Sequence, residues 1–142
     1  MTETSNISAG RLFAVGGLVT TVTGGASGLG FAFAEVMAAN GAEVVLLDFD
    51  PAKLDQAVAT LSSRGGKVTG VVADVTDRPG LRAAIDAVAL ERGRLDVVFA
   101  NAGISAGPGF LDLEGQRDEA GAIENVPDEL WDKVIATNLT SV

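Results

Sequence analysis

Four short runs rich in β-branched and apolar residues, at 18–23, 43–48, 67–73 and 95–100, alternate with segments of helical period. This alternation constrains the chain more than any other feature. It predicts an α/β architecture in which a parallel sheet is covered by helices on both faces. The run LVTTVT at 18–23 is continuously apolar or β-branched, as a doubly buried strand should be. A helix is predicted over 28–40. It is apolar nearly all round, with Phe31, Phe33, Val36 and Met37, which predicts burial, and Gly41 stands at its C′ position. After EVVLLD at 43–48, Asp50 caps a second helix with Pro51 in its first turn. Leu54, Val58 and Leu61 form that helix's inner stripe, and Gly65 and Gly66 end it. A third helix is expected over 79–92, with Leu81, Ile85 and Val88 inward and Gly93 at its stop.

Beyond strand four the regularity lapses. The stretch 105–126 is Gly-rich and acidic, and a loop of that length in a compact domain is functional or mobile as a rule. We expect a flap over the substrate entrance or a subunit contact. Pro127 then opens a helix whose first turn carries Asp128 and Glu129, where acids suit the dipole.

The 142 residues suffice for a single domain, with 1–16 as an N-terminal extension. Ten basic against nineteen acidic residues give a net charge of −9, which repels a polyanion and argues against nucleic acid as a partner. There is no Cys and no His, so disulfides, the usual general base and the commonest metal ligand are missing; no metal site is expected. The start of the chain carries Glu3 rather than the basic residues of a signal peptide. The apolar stretch 12–22 is shorter than the roughly 20 residues a bilayer demands. We expect a soluble, cytoplasmic protein with no membrane partner.

Thr23-Gly24-Gly25-Ala26-Ser27-Gly28-Leu29-Gly30 joins strand one to helix one. Glycines let the backbone turn tightly and approach a pyrophosphate, and the helix start offers free N–H groups and a positive dipole end. Turns also collect glycine for conformational reasons alone, but the strand before and helix after favour a phosphate cradle. Asp48 closes strand two, 20 residues after Gly28, where a dinucleotide fold places an acid on the adenosine ribose. Its plainer reading is a solvent-facing strand-end Asp. Neither Phe49 nor Ser27 is basic, and with no Arg or Lys expected near Asp48 the reading favours NAD over NADP. Asp74-Val75 and Asn101-Ala102-Gly103 also stand at C-terminal strand ends, the edge where open α/β sheets bind ligands.

Together the TGxxxGxG spacing at 23–30, Asp48, Asp74-Val75, Asn101-Ala102-Gly103 and the Trp131…Thr137-Asn138-Leu139 segment resemble the short-chain dehydrogenase/reductase family over about 18–142. The resemblance implies a single NAD-binding domain of Rossmann type, a doubly wound parallel sheet. It implies that Gly24, Ser27, Gly28, Leu29 and Gly30 meet the pyrophosphate and its ribose. Asp48, with Phe49 beside it, would hold the adenosine ribose, Asp74 and Val75 would flank adenine, and Asn101, Ala102 and Gly103 would lie along the nicotinamide ribose. Asn138 would be the family's catalytic Asn, which maintains a water and proton path to the active-site Lys. On the residues alone, Asn138 shares a helix face with Trp131, Val134 and Ile135, and is expected to be buried and hydrogen-bonded. A purely structural Asn is the other reading.

The chain departs from the family's pattern in one important respect. The family's proton donor is a Tyr four residues before a Lys, and this chain has no Tyr. Four strands stand where a doubly wound sheet has six or more, so at roughly 30 residues per βαβ unit about 100 residues are missing. The expectation is therefore a chain truncated after the fourth strand and part of the following helix, inactive alone. The complete enzyme would be a homo-oligomer interconverting an alcohol and a ketone with NAD. The alternative is a nucleotide-binding module without turnover. An unrelated doubly wound protein, such as a methyltransferase, would need Asp74-Val75, Asn101-Ala102-Gly103 and Asn138 to coincide by chance.

Overall fold

The β-branched run forms β1 (Val19–Thr23), and all five of its residues are buried. The order continues α1 (Gly28–Ala39), β2 (Glu43–Asp48), α2 (Pro51–Ser63), β3 (Lys67–Val72), α3 (Arg78–Arg92) and β4 (Val97–Phe99). Two single 3-10 turns, Glu119–Gly121 and Ile123–Asn125, precede α4 (Asp128–Ile135), which runs into one π turn at Ala136–Thr140. The computed structural model describes Gly10, residues 13–105, Gly107, Gly109, Leu111 and residues 115–142. Most of the 1–16 extension and part of the 105–126 loop lie outside the described residues.

The strands form one parallel sheet in the order β3-β2-β1-β4. On one face Val22, Val44, Leu46 and Val68 pack against Ala34 and Met37 of α1 and Leu54, Ala57 and Leu61 of α2. On the other, Val19, Val45 and Leu47 meet Val88 of α3, with Leu81, Ala84 and Ile85 alongside. The sheet is thus wound on both sides, as the alternation predicts. Local chemistry sets the boundaries: the Asp50 carboxylate accepts from Ala52 N and Lys53 N at the start of α2, and Gly93 (φ 72°) stops α3 in the left-handed region.

Two expectations need correction. The first helix is not buried all round, because Leu29, Phe33 and Val36 are exposed. Only the side carrying Gly30, Ala34, Met37 and Ala38 faces the sheet. Phe33, on the flank of that side, stacks on Phe99 of β4 at 5.1 Å, and β4 pairs only with β1 among the described strands. Strand four also spans three residues rather than six. Asp96, just before it, still donates its N–H to Val19 O (2.9 Å), but its carboxylate, not a backbone carbonyl, accepts from Val19 N (2.8 Å).

At that same end of the sheet, Arg94 pairs with Asp96 and Arg92 with Glu43. The Arg94 guanidinium, aided by the Val19 N–H, holds the Asp96 carboxyl below the usual carboxylate range. These contacts tie the starts of β1, β2 and β4 to the end of α3. The predicted 105–126 loop is not structureless: its described part carries the two 3-10 turns, and Asn125 Nδ2 donates to Glu119 O (2.7 Å). No helix among the described residues is long and apolar enough to cross a membrane.

Candidate functional site

The Gly-rich turn leaves β1 at Thr23 and crosses the C-terminal ends of β2 and β4 before α1 begins. Gly24 takes a positive φ of 63°, which a side chain would strain. Gly25 N donates to Leu47 O (3.2 Å) and Ala26 N to Asp48 Oδ2 (3.1 Å), so β2 holds the turn down. The first helical bond of α1 runs from Phe31 N to Ser27 O, and the Ser27 side chain makes no capping bond. The N–H groups of Gly28, Leu29 and Gly30 therefore have no partner inside the helix. Gly28 and Leu29 line a cleft of about 560 Å³ along the C-terminal edge of the sheet.

Three elements complete the cleft. Asp48 is buried at the end of β2 and accepts from Asp50 N (3.2 Å) as well as Ala26 N. It is therefore not the solvent-facing acid of the plainer reading. Asp74, after β3, accepts from the Thr76 backbone N–H (2.8 Å) and hydroxyl (2.7 Å), and these bonds, the hydroxyl's first, hold it below the usual carboxylate range. Asn101, after β4, is locked to β1: its Nδ2 donates to Thr23 O (3.0 Å). The Thr23 hydroxyl accepts from Asn101 N and Ala102 N, both at 3.0 Å.

Of the predicted residues, Gly24, Ser27, Gly28, Leu29, Asp48, Phe49, Asp74, Val75, Asn101, Ala102 and Gly103 all line this one cleft. Gly30 stands behind it, where a Cβ would come within 2.2 Å of Gly24 O. Asn138 also stands outside the lining and, against expectation, is exposed. Its Oδ1 accepts from Ile104 N (2.8 Å) and its Nδ2 donates to Ile104 O (2.9 Å). The helix widens into the π turn at this point, where Thr137 is buried and Asn138 meets the segment after Gly103. Hydrogen bonding of Asn138 holds as expected; burial among Trp131, Val134 and Ile135 does not.

Lys53 and Lys133 also line the cleft, correcting the expectation of no cation near Asp48. Lys53 lies in the first turn of α2, so the signal was present five residues downstream of Asp48 but not adjacent to it. Thr23 was visible only as the first letter of the glycine motif. Because its hydroxyl holds two backbone N–H groups, Thr23→Val should destabilise the fold by about 1–3 kcal/mol, as for other buried donors left unsatisfied. Denaturant melts of the two proteins decide this; a midpoint shift too small to measure would mean that water replaces the hydroxyl. Among the described residues, no group of three or more His, Cys, Asp or Glu is placed to hold a metal ion.

A parallel, doubly wound sheet with a glycine turn, a free helix start and an acid at the next strand end defines a Rossmann-type α/β protein. The chain belongs to the short-chain dehydrogenase family, whose model matches residues 18–142. A short chain dehydrogenase/reductase of Colletotrichum higginsianum is 37% identical over 125 residues, covering 88% of this chain and 42% of that protein. A short chain dehydrogenase/reductase from Burkholderia phymatum, solved in complex with NAD, superposes with a TM-score of 0.77 at 32% identity, covering 91% of this chain and 41% of that one. An NAD+-bound xylitol dehydrogenase superposes equally well, with a TM-score of 0.77 at 26% identity over 89% of this chain and 44% of the other. The chain thus spans less than half the length of these relatives.

Proposed function

We propose that this chain binds NAD along the C-terminal edge of its sheet, as the cofactor half of an oxidoreductase that interconverts an alcohol and a ketone. The observation that carries the reading is Asp48, buried at the strand end and fastened to the glycine turn through Ala26 N. The residues fit the group. The free N–H groups of Gly28, Leu29 and Gly30 suit a pyrophosphate at the positive end of α1. Asp48 suits the adenosine ribose hydroxyls, with Phe49 at the rim. Val75 and Asp74 suit adenine, and Asn101, Ala102 and Gly103 suit the nicotinamide ribose. When bound, NAD supplies a hydride acceptor or donor. Asn138 spends both amide groups on Ile104, so its part is to position the segment after Gly103 beside the nicotinamide end. The two cofactor-bound relatives, one of them a xylitol dehydrogenase, support the cofactor and the alcohol chemistry.

Calorimetry with NAD and NADP tests the reading. A 2′-phosphate brings about −2 charge beside the Asp48 carboxylate, and like charges in a binding site cost several kcal/mol. NAD should therefore bind better than NADP by more than about tenfold, and Asp48→Ala should narrow the ratio. Equal affinities in the unaltered protein would remove Asp48 from the cofactor site.

A further inference from the structure

Lys53 lines the same cleft as Asp48 and Phe49, yet the cleft is read as selecting the cofactor without a 2′-phosphate. Asp50 engages this lysine directly. Its carboxylate takes the Lys53 backbone N–H (3.1 Å) and pairs with the Lys53 ammonium at 3.4 Å. Its own N–H is tied to Asp48 Oδ1 (3.2 Å), so the two acids and the lysine form one connected group at the end of β2. Phe49, between the acids, is 71% exposed and leaves that rim open to solvent. The Lys53 N–H and ammonium keep the Asp50 carboxyl below the usual carboxylate range, so it stays charged at neutral pH.

We infer that Asp50 is a second cofactor-selecting residue, which pairs with Lys53 and so withholds that cation from a 2′-phosphate. The inference rests on the reading of the cleft as an NAD site. For Lys53 to swing to a phosphate, it must leave Asp50 uncompensated beside both Asp48 and a dianion. An exposed pair is weak on its own, but the two carboxylates together make the exchange unfavourable. Asp50→Asn removes the penalty while keeping the helix start, since Asn caps as well as Asp.

The test measures NAD and NADP affinities by calorimetry for the unaltered protein, D50N, K53M and D50N/K53M. D50N should raise NADP affinity relative to NAD by about three- to tenfold, with NAD itself nearly unchanged. K53M alone should leave the ratio where it was, and D50N/K53M should lose the gain. A gain that persists in the double variant shows simple relief of repulsion and overturns the role of Lys53. No gain in D50N, or a K53M loss as large in the unaltered background, overturns the restraint by Asp50. Absence of NAD binding to the unaltered protein overturns the cleft assignment itself and this inference with it, a result distinct from the other two.

Discussion

Replacing Gly30 by alanine should abolish NAD binding at accessible concentrations, a loss of at least about 100-fold or ~2.7 kcal/mol. By helix propensity the change should help, because alanine in a helix is favoured over glycine by roughly 1 kcal/mol. Sterics decide the other way. The added Cβ would sit 2.2 Å from Gly24 O, 2.9 Å from Gly24 C and 2.6 Å from Asn101 Nδ2. Two of those atoms are backbone, so no side-chain rotation relieves them. Either the Gly24 peptide swings into the space proposed for the pyrophosphate, or Asn101 gives up its bond to Thr23 O and loosens the segment after β4. Overpacking of this kind also costs about 1–3 kcal/mol of stability. Gly28→Ala is the control: its Cβ meets nothing within 4 Å, and only the positive φ of 55° opposes it. That strain is worth roughly 1–2 kcal/mol. A Gly30→Ala protein that binds NAD within threefold of the original, with Gly28→Ala the weaker of the two, would refute the cradle.

The second large effect expected is that this 142-residue polypeptide, tested alone, gives no turnover even where NAD binds. Reduction of a ketone needs a proton at its oxygen as hydride arrives, and oxidation needs a group to take one away. The chain contains neither Tyr nor His. Asp48 has both oxygens occupied by backbone N–H groups. The Thr76 hydroxyl and N–H hold Asp74 below the usual carboxylate range, so it carries no proton to give near neutral pH. The measurement is NADH formation or consumption with a panel of secondary alcohols and ketones. Sustained turnover that disappears in Lys133→Met would place the proton donor on α4 and overturn the argument.

The sequence made the sheet and most of the cleft legible for one physical reason. Strand ends, glycine turns and helix caps are local, and each leaves its mark within a few residues. Asp50 with Pro51, Gly93 after Arg92, and Asp48 after a buried strand all work in this way. What it concealed depends on what lies across space. Nothing in Leu29, Phe33 and Val36 says that their side of α1 opens beyond a short edge strand rather than onto a second layer. The exposure of Asn138 depends on a π turn, which shifts the facing of every residue after Ala136 and has no compositional mark. Lys53 was readable as a helix residue, but its place on the cleft wall follows from how α2 starts under the end of β2. The bonds of Thr23 span 78 and 79 positions in the chain.

All four strands point the same way, so the chain divides its labour between two rims. At the rim where strands begin, Arg92 with Glu43, Arg94 with Asp96, and Asp96 with the Val19 N–H knit the frame together. At the rim where they end, each loop contributes a piece of the cleft, and bonds such as those of Thr23 with Asn101 and Ala102 hold the pieces together. A domain arranged in this way can drift in ligand preference through its finishing loops while its foundations stay fixed. Random substitutions sorted by rim should therefore fall into two populations, those that alter melting and those that alter recognition, with Thr23 and Gly30 among the few positions belonging to both.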